Sequence, residues 1–274
     1  MPTIVFMASL RIFDCLILCD SRGRDLDDYI KSSDVLTNLP NCQINVEVRT
    51  RPGITLNSLD RKLHNITRGK TYDFIIIFAG ICSFTRAHKD GTINLLVYEG
   101  ENKPELALEI INKWLTKYGN RIHIATIPPA DINKFNVLKN EDWTITDQYK
   151  EQQNKLVRDI ERVNDQIIES NIIRDQPTIL TAKQTYYSAT RKDRKTGKKS
   201  KIKKFTAKEL TDGVHANDKL KDSWFERIVF FLHKIIQAQL KNEEHGTDSE
   251  TSSTDSDRPP APKRRRVVLK NICN

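Results

Sequence analysis

Four short apolar runs, each rich in β-branched residues, constrain this chain more than any other feature. They are 12-IFDCLILC-19, 44-INVEVRT-50, 72-YDFIIIFA-79 and 121-RIHIATI-127. Runs this continuous fit strands covered on both faces, as in a parallel sheet. Between them lie the amphipathic stretches 25-DLDDYIKSS-33, 57-NSLDRKLHNIT-67 and 104-PELALEIINKWLTKYG-119. The last opens at Pro104 and closes at Gly119, a start and a stop for a helix. Strand alternating with helix predicts an α/β fold with right-handed crossovers. A chain of 274 residues suffices for one sizeable core or two small domains.

Further along, Leu156, Ile160, Val163 and Ile167 recur at helical spacing within 147–171. Residues 177–210 read as a strand or hairpin with a lysine-rich turn around Gly197, and 222-DSWFERIVFFLHKIIQAQL-240 reads as a closing helix packed on the sheet. This places one domain over 1–240, with a basic hairpin insert at about 185–206. Beyond it, 241–274 has almost no core formers and is expected to be disordered. Within that tail, 262-PKRRRVV-268 reads as a nuclear-localisation signal, carried by Lys263, Arg264, Arg265 and Arg266 and taken up by import machinery.

The formal charge of +9 points to acidic partners, nucleic acid first. The hairpin lysines Lys198, Lys199, Lys201, Lys203 and Lys204 are candidate contacts to a phosphate backbone through charge alone; the alternative is a solvated hairpin tip. Cys15, Cys19, Cys42, Cys82 and Cys273 are odd in number and without CxxC spacing, which argues for reduced thiols and against a disulfide framework or zinc site. The apolar N-terminal stretch lacks a basic leader and is broken by Arg11 and Asp14, and no run reaches the ~18 uncharged residues of a membrane span. The expected location is nuclear or cytoplasmic, without secretion.

At the end of the first apolar run stands Ser21, in 16-LILCDSRGRDL-26. Open α/β sheets place their ligands at the carboxyl ends of strands, so a serine here is a candidate nucleophile. A base and an orienting acid occur together in 211-TDGVHAND-218, where Asp212 and His215 are spaced to reach one pocket from one turn. Gly53 and Gly80 each follow an apolar run, where a bare backbone can approach a substrate oxygen. Arg22 and Arg51 are candidate contacts for an anionic substrate, with solvated side chains as the alternative. Asp20 also fits the start of an aspartyl-phosphate site, but that chemistry needs an acid two residues on, where Arg22 stands. Asp25, Asp27 and Asp28 suit a helix N-terminus rather than a metal site. His64, His88, His123, His233 and His245 show no ligand spacing, and no glycine-rich phosphate loop is present.

These motifs, in this order, resemble those of the SGNH (GDSL-type) hydrolases. That resemblance implies a flavodoxin-like three-layer α/β/α sandwich with a mostly parallel sheet of about five strands. It also implies a serine esterase or acetylhydrolase acting on a small acyl ester. Cys19-Asp20-Ser21 is similar to the first block of that family, with Asp20 bracing the nucleophile turn. Gly53 matches the second-block oxyanion donor, and Asp212-Gly213-Val214-His215 matches the last block. Ser21, His215 and Asp212 would then be nucleophile, general base and orienting acid, with no metal or organic cofactor. The third block, Gly-x-Asn-Asp, is approximated by Gly80-Ile81-Cys82-Ser83, so Cys82 stands where the family's second oxyanion amide would be and Ser83 is a substitute donor. The resemblance covers roughly residues 10–240. Within the family, LCDSRGRDL, RPGITL, IIIFAGICSFT, ATIPPAD and DGVHAN resemble the esterase-like domains of animal LINE-type retrotransposon and virus-like mobile-element proteins. That nearer likeness implies nucleic-acid or particle association, with a catalytically weak or inactive module that binds nucleic acid or protein partners as the alternative to an enzyme.

Overall fold

The computed structural model describes residues 10–95, 103–192, 197 and 199–247. β1 (Arg11–Cys19) ends in a 3-10 turn (Ser21–Gly23), followed by α1 (Leu26–Ser32) and α2 (Asp34–Thr37). β2 (Cys42–Thr50), α3 (Leu56–Thr67) and β3 (Phe74–Phe78) come next, then a second 3-10 turn (Ile81–Ser83) and a short antiparallel pair, β4 (Thr85–Ala87) and β5 (Ile93–Leu95). α4 (Lys103–Tyr118), β6 (Ile122–Ile124), α5 (Ile132–Lys139) and α6 (Asp147–Ile173) lead to a basic hairpin, β7 (Tyr186–Lys192) and β8 (Lys199–Phe205). α7 (Asp218–Thr247) is the last described element.

The main sheet is parallel throughout, in the order β2-β1-β3-β6. Counting only its own strands this is 2-1-3-4, the flavodoxin-like order, whose topological switch falls between β1 and β3. Four strands form where about five were expected. The missing neighbour is 177–183, which meets the end of β6 through one backbone bond, Thr126 N–H to Ile179 O at 2.9 Å. Side chains replace the rest of the ladder: Ala182 N–H donates to Thr126 Oγ1 at 2.9 Å and the Thr181 hydroxyl to Thr126 O. Pro177 cannot donate to a ladder, which suits an edge.

Alternation along each strand sorts its side chains between two faces. Leu16, Leu18, Ile75, Ile77, Ile122 and Ile124 join a buried cluster with α3, α4 and α6, including the fully buried Trp114. On the other face Phe78 meets Trp224 of α7 edge-on at 5.6 Å, and His123 meets Phe231 at 4.9 Å. His123 is therefore a core residue; burial, then the charge of Arg174, pushes it down to about 4, so it folds neutral. β2 corrects the expectation of strands covered on both faces. It is the sheet's edge, and Asn45 and Arg49 of its alternating sequence are exposed.

α7 begins four residues before the expected start because Asn217 caps it, its Oδ1 accepting from Leu220 N–H at 2.9 Å. It also runs past Leu240 to Thr247, into the stretch expected to be disordered. The chain divides inside this helix, into a unit ending at Ile235 and one beginning at Ile236, and the sites described below lie in the first. Among the described residues, no helix is long and apolar enough to cross a membrane.

Candidate active site

The first turn after β1 is built around a buried ion pair. Asp20 Oδ1 accepts from Arg22 N–H at 3.0 Å and from Arg22 Nε at 3.1 Å, while Oδ2 accepts from Nη2 at 2.8 Å. Arg22 Nη1 donates to Pro128 O at 2.7 Å, tying the turn to the loop after β6. Both side chains are essentially without solvent access. Arg22 is therefore corrected from a candidate substrate contact to a brace, since its guanidinium is buried against Asp20 and Pro128. Removing either partner would strand a buried charge, at a cost of about 3–5 kcal/mol. Cys19 fits at the end of β1 because Gly23 faces it: a Cβ on Gly23 would lie 2.3 Å from Cys19 Sγ. Burial pushes the Cys19 thiol up to about 12, so it packs as a neutral group.

That brace leaves Ser21 at the mouth of the switch point, and the loop before α7 comes to meet it. His215 Nε2 lies 2.9 Å from Ser21 Oγ, and His215 Nδ1 lies 2.7 Å from Asp212 Oδ2. The other oxygen of Asp212 closes its own turn, accepting from Val214 N–H at 2.9 Å and His215 N–H at 2.7 Å. Burial pushes the Asp212 carboxyl up, but the hydrogen bonds from the His215 ring and the two N–H groups, with the charge of His215, outweigh it. The group is held well below the usual carboxylate range. An ionised acid facing Nδ1 keeps the ring proton there and leaves Nε2 free to accept from Ser21.

The loop itself is docked through Gly213. Its carbonyl accepts from Asp131 N–H at 2.7 Å, at the entry to α5. Gly213 has φ +88°, and a Cβ there would stand 2.4 Å from Asp131 O and 2.8 Å from Phe135 N. Lys134 Nζ adds bonds to Leu210 O and Ala207 O just upstream. α5 thus carries the histidine loop, and its sequence gives little sign of a helix: eight residues, two of them buried, make a weak pattern.

The other expected residues divide. The 51–54 turn sits beside the end of β1 through Arg51 N–H to Cys19 O at 2.9 Å, which places Gly53 and the exposed Arg51 next to the Ser21 turn. The N–H groups of Ser21 and Gly53 make no hydrogen bond among the described residues. Gly80 follows β3 at the entry to the second 3-10 turn, its carbonyl taking Ser83 N–H at 3.0 Å. Ser83 Oγ accepts from Leu56 N–H at 2.8 Å, so this hydroxyl is oriented by the first turn of α3. Cys82 is partly buried, and burial, then Asp20, pushes it up to about 11 against the pull of Arg22. A neutral thiol, a weak donor, stands where the third block would carry an amide. Lys199, Lys201, Lys203 and Lys204 lie exposed on β8, away from any of these bonds. Lys198 and the tail residues Lys263, Arg264, Arg265 and Arg266 lie outside the described residues. No group of three or more His, Cys, Asp or Glu among the described residues is placed to hold a metal.

No protein-family model matches this sequence, and no curated protein does. Among solved structures, the chain is similar to the lipase/acylhydrolase from Enterococcus faecalis, with a TM-score of 0.55 at 15% identity, covering 81% of this chain and 96% of that one. It is also similar to an α/β hydrolase enzyme from the metagenome of Lake Arreo, Spain (TM-score 0.51, 12% identity, 81% and 94% covered). A third is the acetyl xylan esterase AlAXEase (TM-score 0.50, 14% identity, 78% and 97% covered). At such identities the likeness is one of fold. What is shared is the α/β fold of these hydrolases, with its parallel sheet of four strands here.

Proposed function

We propose that this chain is a serine ester hydrolase in which Ser21, His215 and Asp212 act as nucleophile, general base and orienting acid. The observation that carries the reading is the unbroken hydrogen-bonded line from Ser21 Oγ through His215 to Asp212, at 2.9 and 2.7 Å. Ser21 Oγ attacks the carbonyl carbon of an acyl ester as its proton passes to His215 Nε2, and the carbonyl π electrons move onto oxygen. The N–H groups of Ser21 and Gly53 receive that oxyanion. Collapse breaks the ester C–O bond, and the leaving alkoxide takes the proton from His215. Water then enters by the same steps and releases the acid. With Cys82 in the third-block position the hole lacks one strong donor, a deficit of roughly 10²–10³ in rate, so turnover is slow rather than absent.

A fluorophosphonate probe tests the assignment, because it records one covalent step and needs no knowledge of the acyl group. Labelling is expected on Ser21 and in one-to-one stoichiometry at most. Labelling that persists in Ser21→Ala, or none on the wild type, would refute it.

A second reading, nucleic-acid binding beside the hydrolase activity, is favoured by the hairpin. The register Ser188↔Lys203, Thr190↔Lys201 and Lys192↔Lys199 lines Lys192, Lys199, Lys201 and Lys203 along one face. The described strands carry no carboxylate to neutralise them. This fits the likeness of several motifs to mobile-element proteins, with nuclear import through the basic tail. Oligonucleotide affinity is expected to fall steeply with salt, and the Lys199→Ala, Lys201→Ala, Lys203→Ala variant is expected to lower that salt slope by about three phosphate contacts. An unchanged slope would remove the hairpin from the interface.

A further inference from the structure

At the amino end of the sheet, opposite Ser21, the loops entering β3 and β6 enclose a cavity of about 310 Å³. Five basic side chains line it, His64, Arg68, Lys70, Lys117 and Arg121, and no carboxylate does. Its floor is Tyr72 and Ile75, and Thr67 and Tyr118 meet on its wall through a hydroxyl hydrogen bond of 3.1 Å.

Cations near helix C-termini are ordinary, and α3 and α4 both end here. Each helix end, however, presents only about half a negative charge, and four permanent cations surround the space. Lys70 has carboxylates within reach, Asp14 at 3.4 Å and Glu47 at 4.0 Å. Lys117 donates to His64 Nδ1 at 2.9 Å, a bond that neutralises nothing. The guanidinium groups of Arg68 and Arg121 hold no hydrogen bond or ion pair among the described residues. Lys117 also acts electrostatically on Asp60, so the charge left unpaired among the described residues is that of the two arginines.

We propose that this cavity binds a small phosphorylated ligand, with the guanidinium forks of Arg68 and Arg121 on the phosphate oxygens and Lys117 supplying further charge. A guanidinium matches phosphate with two parallel N–H bonds, and hydroxyl groups beside it can complete the oxygen shell. The volume lies at the small end of ligand sites, suited to a phosphate group with a compact body rather than to a polymer. The site is separate from the hydrolase centre, because it lies at the other end of every strand.

The test is calorimetric titration of the full chain with inorganic pyrophosphate at fixed ionic strength, with parallel arms for AMP and for a single-stranded oligonucleotide. Saturable pyrophosphate binding is expected, weakened about tenfold by each of Arg68→Ala and Arg121→Ala. Ser21→Ala should bind as the wild type does, which separates this site from the proposed chemistry. Both arginines are exposed and, among the described residues, unpartnered, so thermal unfolding of the variants should match the wild type. Tighter binding of AMP than of pyrophosphate would assign the cavity to a nucleotide, and the reverse order to a phosphate-only ligand. Absence of saturable binding, unchanged affinity in the double variant, or binding of the oligonucleotide alone would overturn the proposal.

Discussion

Replacing Asp212 with asparagine is expected to lower kcat for a p-nitrophenyl ester by about 10⁴-fold with little change in KM. The asparagine carbonyl can still accept from Val214 and His215 N–H, so the turn survives. Its amide, however, would donate to His215 Nδ1 where the carboxylate accepts, and the ring proton would be driven to Nε2. A protonated Nε2 cannot take the proton of Ser21 Oγ, now 2.9 Å away. The same substitution has a signature in stability. The Asp212 carboxyl is depressed in the folded chain. Its contribution is therefore complete above the ordinary carboxylate pKa of about 4 and is lost as pH falls through the lower folded value. Asp212→Asn should lack that component of acid sensitivity. A variant with wild-type kcat would show that His215 is not oriented by this acid.

The Gly213→Ala variant is expected to lose activity on the order of 10²-fold or more while keeping its secondary structure. An alanine at φ +88° is strained by about 1–2 kcal/mol, and its Cβ would fall 2.4 Å from Asp131 O. The turn must move off α5, and His215 moves with it. A displacement of about 1 Å in a reacting group suffices for a loss of that size. Circular dichroism and thermal unfolding, read beside kcat, separate the two consequences. Wild-type activity would show that docking on Asp131 does not position the histidine.

Much of the architecture was legible because burial writes itself into a parallel strand. The runs ending at Cys19 and Phe78 are apolar at consecutive positions, since both faces of β1 and β3 are covered. The helix from Lys103 to Tyr118 was bounded by Pro104 and by Gly119, which takes a left-handed φ of +56°. The three side chains now in line from Ser21 to Asp212 were legible as well, from residue type and position after a strand and before a helix. Less legible were elements held by few contacts: α5, the β4–β5 pair, and the edge segment at 177–183, where side-chain bonds stand in for a ladder. Periodicity over three to eight residues does not separate a short element from a loop.

Arg22 marks the limit most clearly. In the sequence it is a cation beside a candidate nucleophile, open to a substrate. In the fold it closes on Asp20 and on Pro128, the latter more than a hundred residues away, and the side chain is buried out of a ligand's reach. Arg68 and Arg121 run the other way: two ordinary helix-end cations that the fold gathers around one cavity without a carboxylate on its wall. The sequence by itself determined the sheet, its helices and the three residues that could carry a serine mechanism, because strand burial and turn position are local consequences of residue order. Only the tertiary structure decided which charges are spent and which are free, because the pairing of a charge depends on what the chain brings to it from elsewhere.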